Sequence, residues 1–341
     1  MAHRPRIAIN GFGRIGRTVF RILSQRKDAE VVALNDLTED RTLAYLCRYD
    51  TVHGPYPGPV TLAEGRLHAG SQHVRILRQA DPAALPWNEL GVDVVVEATG
   101  VFRTREQIAK HLAAGAKKVL LTVPAKDEID VTIVLGVNDE DLEPEHRLIS
   151  NASCTTNCLA PVAKVLHERF GIVKGYITTV HAYTNDQRLA DVPHSNLRRS
   201  RAANENIIPT TTGAARAVGQ VLPELAGKLD GIAMRVPVPD GSTVDLVAEL
   251  ASPVDVVAIN SAMKDAASRP PLKDVLEYTE EPIVSSDIIQ NSHSAIFDAL
   301  STRVLGSNFV KVLAWYDNEW GYACRVVDLA HRLVSVPAHT P

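Results

Sequence analysis

Two residues in this chain have the types and settings for covalent chemistry. Cys154 lies in Ser150-Asn-Ala-Ser-Cys-Thr-Thr-Asn-Cys158. Ser153 suits an N-cap, which puts Cys154 in the first turn of a helix. A thiol there is acidified by the helix dipole and by nearby cations, and the thiolate is the nucleophile. Cys158 falls one turn further along the same face. His181, in Thr179-Val-His-Ala-Tyr-Thr-Asn-Asp-Gln187, follows a strand-like run and is the candidate base. Each alone has a plainer use, as a packing cysteine or a structural histidine; together they fit a nucleophile and its base. A third set is Gly11-Phe-Gly-Arg-Ile-Gly16 with Asp36 twenty residues later. In a dinucleotide site Gly11 permits the tight turn, Gly13 lets the backbone approach a pyrophosphate, and Gly16 lets the helix pack on the sheet. Asp36 would accept hydrogen bonds from the ribose hydroxyls and repel a 2′-phosphate, which favours NAD over NADP.

The elements that must position these groups are legible in outline. Arg6–Asn10 is a short β-rich run, the glycine loop follows, and a helical stretch runs from Arg17 to about Gln25. Further strands are predicted at 31–35, 92–97, 118–122 and 131–135, with a helix over 104–114. Strands alternating with helices indicate a mostly parallel, doubly wound sheet. After about Ser150 the pattern changes. One long helix is predicted over 152–170, then strands at 176–180, 231–236, 243–249 and 310–315, in a larger and more antiparallel sheet. A helix returns at 328–334. The fold class is therefore α/β: a doubly wound dinucleotide-binding domain over 1–152, with a C-terminal helical segment 318–341 returning to it, and an α+β catalytic domain with a large mixed sheet over 153–317. The basic stretch Leu197-Arg-Arg-Ser-Arg201 sits in a long irregular segment, about Tyr183 to Pro209, and a loop of that length usually has a function or is disordered.

Composition excludes several classes. At 341 residues the chain has length for about two domains and a large core. With 36 basic and 40 acidic residues the formal charge is -4, so there is no global basic field for nucleic acid. The four cysteines, Cys47, Cys154, Cys158 and Cys324, form no CxxC pair and no zinc spacing, so no metal site is expected. Free cysteines suit a reducing cytosol, and the start Met1–Arg6 is too polar for a signal peptide. No run approaches the roughly 20 apolar residues of a membrane span. The expectation is a cytoplasmic enzyme with no membrane or nucleic-acid partner.

Several segments together resemble one family over essentially the whole chain, in order: NGFGRIGR at the start, SNASCTTNC at the cysteine, HAYTNDQ at the histidine, TTTGAA at Thr210–Ala215, MRVP at Met234–Pro237 and WYDNEWGY at Trp315–Tyr322. They are similar to phosphorylating glyceraldehyde-3-phosphate dehydrogenases. The resemblance implies phosphorylating oxidation of an aldehyde phosphate with NAD in glycolysis or gluconeogenesis, through a thioester on Cys154 with His181 as base. It implies that Thr184, Asp186 and Arg235 hold the substrate phosphate. Ser153, Thr155, Arg199, Thr212 and Gly213 would hold the attacking inorganic phosphate. For NAD it implies backbone donors from Arg14 and Ile15, lining by Thr99 and Thr122, the nicotinamide carboxamide on Asn318, and Tyr322 beside the ring. It also implies a homotetramer.

The chain departs from the family pattern in places. Ala80 precedes Asp81-Pro82 where the family often has Arg, Leu121–Ala125 varies from the usual run, and Ser292–Ile296 is closer to the erythrose-4-phosphate branch. Erythrose-4-phosphate dehydrogenase is therefore the alternative, opposed by Ala182–Asn185 after the histidine. A semialdehyde-type dehydrogenase is disfavoured by the match at Cys154 and Thr210–Ala215. A non-catalytic NAD- or RNA-binding protein on this fold would rest on the Arg198–Arg201 cluster, and the presence of Cys154 and His181 argues against it.

Overall fold

A computed structural model describes residues 4–335 of the chain. They fall into two compact units. The first comprises the chain up to Ile133, Glu140–Ala152 and the stretch from Ala323 onward; the second comprises Val134–Asp139 and Ser153–Tyr322.

The first unit holds nine strands: β1 (Arg6–Asn10), β2 (Glu30–Asn35), β3 (Val60–Ala63), β4 (Arg66–Ala69), β5 (Gln72–Leu77), β6 (Val94–Glu97), β7 (Lys118–Leu121), β8 (Val131–Thr132) and β9 (Leu148–Ser150). Helices α1 (Arg14–Arg26), α2 (Asp40–Arg48) and α3 (Arg105–Ala113) belong with them. The sheet order is β3-β4-β5-β2-β1-β6-β7-β9-β8, parallel except for the β3–β4–β5 meander. The central strands are apolar on both faces, with Ile7, Val31, Val94 and Val119 buried, as a sheet covered on both sides requires. The order reverses at β1, between β2 and β6, and ligands bind such sheets beyond the carboxyl ends of the strands at that point. Those ends carry Asn10, Asn35 and Glu97. Asn35 donates to Asn10 Oδ1 at 2.7 Å, and Asn10 donates to the buried Glu97 carboxylate at 2.5 Å.

The second unit holds β10 (Ile172–Ala182), β11 (Ile208–Thr211), β12 (Leu229–Val236), β13 (Ser242–Leu250), β14 (Leu276–Thr279), β15 (Ala295–Leu305) and β16 (Phe309–Tyr316). Its helices are α4 (Cys154–Phe170), α5 (Ala214–Val221) and α6 (Val256–Ala267), while α7 (Trp320–Ser335) begins in this unit and continues into the first. The order is β11-β12-β10-β13-β16-β15-β14. This sheet is mixed, since β10 pairs parallel with β12 and β14 with β15. It has fewer strands than the first sheet, so the expectation of a larger one fails in strand number, although its strands are longer. Period-2 alternation along β10 buries Ile177, Thr179 and His181 on one face and leaves Tyr176 exposed on the other.

The strand expected over 131–135 pairs only at Val131 and Thr132, because Val134–Asp139 leaves the first unit. The helix at 328–334 starts earlier, at Trp320. Of the segment 318–341 expected to return to the first domain, residues 336–341 lie outside the described ones, as do 1–3 at the chain start. No helix among the described residues is long and apolar enough to cross a membrane.

Candidate active site

The glycine loop runs from β1 into α1. Gly11 has φ +91°, and a Cβ there would lie 2.6 Å from the Thr99 nitrogen. A Cβ on Gly16 would lie 2.0 Å from the Gly11 carbonyl oxygen, whereas one on Gly13 would meet nothing within 4 Å. Gly16 is thus a packing requirement, and Gly13 keeps an open face. Gly13 caps α1 with no side-chain hydrogen bond, and a helix N-terminus of this kind suits an anion. The loop therefore fits a pyrophosphate. Arg14 turns its guanidinium to Asp50 (2.5 and 3.1 Å).

Asp36 stands just beyond β2 and accepts the N–H of Phe12 at 2.8 Å and of Thr38 at 2.9 Å. Burial opposes ionisation, but these two N–H groups, the Thr38 hydroxyl and the Arg17 charge together outweigh it and hold the carboxyl below its usual range. Asp36 is consequently anionic at neutral pH and fixed to the glycine loop. Thr99 bonds the Glu97 carboxylate through its backbone N–H at 2.8 Å and through its hydroxyl. Thr122 donates its hydroxyl to the Glu97 carbonyl at 3.0 Å. Both line the carboxyl ends of the parallel strands.

Two glycine substitutions separate packing from binding. Gly16→Ala should destabilise the apo protein by at least about 1–3 kcal/mol, since the clash is with backbone. Gly13→Ala should leave apo stability nearly unchanged and weaken NAD binding. Calorimetry of the apo variants with an NAD titration checks this, and the reverse ranking would show that the loop has been misread.

In the second unit Cys154 opens α4, with Ser153 as N-cap accepting the Thr156 N–H at 3.1 Å. The Cys154 Sγ lies 3.5 Å from His181 Nε2. The parallel β10–β12 register sets Arg235 directly beside His181. Arg235 Nη1 is 2.6 Å from His181 Nδ1 and donates to the Ala182 carbonyl at 2.9 Å; Nδ1 is also 2.7 Å from that carbonyl. Nδ1 cannot donate and accept at once. Protonated, Nδ1 donates to the Ala182 carbonyl and leaves Nε2 as an acceptor facing the sulfur; unprotonated, it accepts from the arginine and the ring proton sits on Nε2.

Burial and then the Arg235 charge push the His181 pKa down to about 3, so the ring is neutral across the physiological range. Burial also pushes the Cys154 thiol up, against the opposing pull of Arg235 and the Thr155 N–H. The expected acidification is therefore outweighed in the resting chain, which holds a thiol beside a neutral imidazole rather than an ion pair. Cys158 is fully buried, and burial followed by its neighbour Cys154 raises it well above the ordinary thiol range. All four cysteines are free.

The anion-binding candidates divide. Arg235 feels the charges of Arg199 and Asp186. Arg199 donates to Thr210 Oγ1 at 3.0 Å and pairs with Asp186, which His194 also approaches at 3.5 Å. The Thr184 backbone N–H bonds Gln187, and the Thr212 hydroxyl accepts the Ala214 N–H next to exposed Gly213. Thr155, however, turns its hydroxyl inward to Tyr316 Oη at 2.9 Å. Arg198 is exposed and Arg201 pairs with Asp191, so the basic cluster is not one surface.

Tyr316 escaped the sequence reading. Its hydroxyl bridges Thr155 and Thr179 (2.8 Å), its ring meets the His181 ring edge-on at 5.9 Å, and it is fully buried. Only its place in the Trp315–Tyr322 segment hinted at a role. Asn318 and Tyr322 are buried in the second unit, and Asn318 Oδ1 accepts the Ser242 hydroxyl at 2.6 Å.

Comparison with known proteins decides the family. Residues 5–105 match the model of the glyceraldehyde 3-phosphate dehydrogenase NAD-binding domain, and 153–318 match that of the C-terminal domain. The chain belongs to the glyceraldehyde-3-phosphate dehydrogenase family. It is 57% identical to the glyceraldehyde-3-phosphate dehydrogenase of Geobacillus stearothermophilus, over 97% of this chain and 98% of that one. It is 58% identical to that of Borreliella burgdorferi, over 96% and 99%, and 57% identical to that of Streptomyces coelicolor, over 95% and 97%. The doubly wound first unit is the family's NAD-binding domain.

Proposed function

We propose that this chain catalyses the NAD-dependent, phosphorylating oxidation of glyceraldehyde 3-phosphate to 1,3-bisphosphoglycerate, in the cytoplasm, through a thioester on Cys154. The observation that carries the reading is Cys154 Sγ at 3.5 Å from His181 Nε2, with Arg235 on the far nitrogen of the same ring. When bound, NAD supplies the hydride acceptor. The protein supplies the nucleophile, the base and the anion sites.

Arg235 attracts the phosphate group of the aldehyde and Arg199 the attacking inorganic phosphate, a planar guanidinium being well matched to each. With an anion on Arg235, Nδ1 carries the ring proton and donates it to the Ala182 carbonyl 2.7 Å away. Nε2 is then left as the acceptor that takes the thiol proton. Sulfur attacks the aldehyde carbon, and the proton passes from Nε2 to the former carbonyl oxygen, giving a neutral imidazole and a hemithioacetal. Its oxygen is within reach of the first-turn N–H of Cys154 and of the His181 ring. Loss of hydride from that carbon, with the hydroxyl proton taken by Nε2, leaves the thioester. Inorganic phosphate attacks the thioester carbonyl, gives the acyl phosphate and releases the thiol. Thr155 would serve phosphate through its backbone N–H, since its hydroxyl faces Tyr316.

Turnover with and without inorganic phosphate tests the reading. NADH formation sustained only with phosphate, with acyl phosphate as product, is expected, and equal steady-state rates without phosphate would overturn it. Asp36 should make NAD preferable to NADP by at least about 100-fold in kcat/KM, because setting a like charge against the 2′-phosphate costs several kcal/mol. Equal specificity constants would refute that role.

The proposed assembly is a homotetramer. One face of the second sheet packs against α4, α5 and α6, while Tyr176 and Ile232 on the strands and Leu197 and Ile207 in the 183–209 segment remain exposed. Tyr176 and Ile232 are diagonal neighbours on the paired strands β10 and β12, and an apolar pair on the uncovered face of the sheet supports association. Light scattering at micromolar concentration should give four times the chain mass, and a monomer would refute it.

A further inference from the structure

Ser242 stands at the start of β13 and is buried. Its Oγ accepts the N–H of Ala182 at 3.0 Å and lies 2.6 Å from Oδ1 of Asn318. A backbone N–H can only donate, so Ala182 occupies a lone pair of that oxygen. The serine's own proton then needs an acceptor in a site closed to water. The amide end of Asn318 facing it satisfies that need only if it is the carbonyl; an NH2 there would leave the serine proton without a partner. The serine therefore fixes which way the Asn318 amide points, with its oxygen toward Ser242 and its NH2 away.

The rest of the neighbourhood holds both ends of this bond still. Asp317 accepts the N–H groups of Glu319 (2.9 Å), Trp320 (2.6 Å) and Gln290 (2.7 Å), which clamps the turn carrying Asn318. The β13–β16 register sets Ser242 opposite Tyr316, two residues before Asn318. On the other side, the peptide of Ala182 is held at its N–H by Ser242 and at its carbonyl by Arg235, directly after His181.

We propose that Ser242 is a positioning residue for the cofactor. It orients the Asn318 amide so that NH2 is presented to the carboxamide oxygen of the nicotinamide, and it ties that amide to the peptide that follows the catalytic base. This rests on the reading of Asn318 as the holder of the carboxamide.

The experiment is a mutant cycle on the full-length enzyme with NAD as the probe. Ser242→Ala should raise the KM for NAD about tenfold, the loss of one oriented hydrogen bond. Ser242→Thr, which keeps the hydroxyl, should restore most of it. Asn318→Ala should raise KM to a similar or greater extent, and the double variant should be no worse than Asn318→Ala alone, because the serine acts through the asparagine. Thermal unfolding and the alkylation rate of Cys154 show that each variant is folded with its thiol site in place. Additive effects in folded variants would overturn the proposal, as would an unchanged KM in Ser242→Ala beside a raised one in Asn318→Ala. An unchanged KM in Asn318→Ala would overturn the reading of Asn318 itself, and the proposal with it.

Discussion

Cys154→Ser should abolish acyl phosphate formation while NAD binding persists. The hydroxyl that replaces the thiol is far less acidic and a poorer leaving group from the acyl enzyme. The groups that would hold the nucleotide, Gly11–Gly16 and Asp36, are on other elements, so the loss should be confined to chemistry. Cys158→Ser is the contrast. That sulfur is fully buried, with its nearest acceptor the Ala314 carbonyl at 3.7 Å, and its pKa is raised well above the ordinary range. It should label slowly and contribute nothing to turnover. Iodoacetamide labelling of each variant, followed by peptide mapping beside steady-state rates, checks both. Fast labelling at Cys158, or acyl phosphate from Cys154→Ser, would show that the nucleophile has been misplaced.

The second large effect is at His181. His181→Asn should slow acylation by about 10²–10⁴-fold, the usual worth of a positioned general base, with the fold intact. The pH dependence follows from the two shifts. The imidazole, held near pH 3, stays neutral from about pH 5 to 9 and contributes no titration there. The raised thiol yields more thiolate as pH rises, so alkylation of the resting enzyme should climb steadily through the ordinary thiol range. Arg235→Leu removes the cation that lowers the thiol, so labelling at a fixed pH should fall further. A labelling profile already flat by pH 7 in the unliganded enzyme would contradict this balance, and a faster Arg235→Leu would contradict the role of the guanidinium.

Local chemistry carried much of this site in the sequence. A serine before Cys154 is enough to cap a helix and put the thiol in its first turn, because capping is decided within four residues. The glycine spacing and Asp36 likewise specify a turn, a close approach and a strand end within one βαβ stretch. The alternation that buries His181 on the face carrying Thr179 is written along β10 itself. What local chemistry could not supply is register. Arg235 acts on His181 only because β10 and β12 run parallel with those two residues paired. Ser242 reaches Asn318 only because β13 meets β16 with Ser242 opposite Tyr316. The Tyr316 hydroxyl joins Thr155 and Thr179 from more than a hundred residues away in the chain. The thiol's pKa depends on packing in the same way: the dipole and the cation are readable from nearby residues, but the desolvation that pushes it up depends on everything that packs around the sulfur. Sequence thus determined which residues could react, and the tertiary structure decided their burial, their charge and which partners they meet.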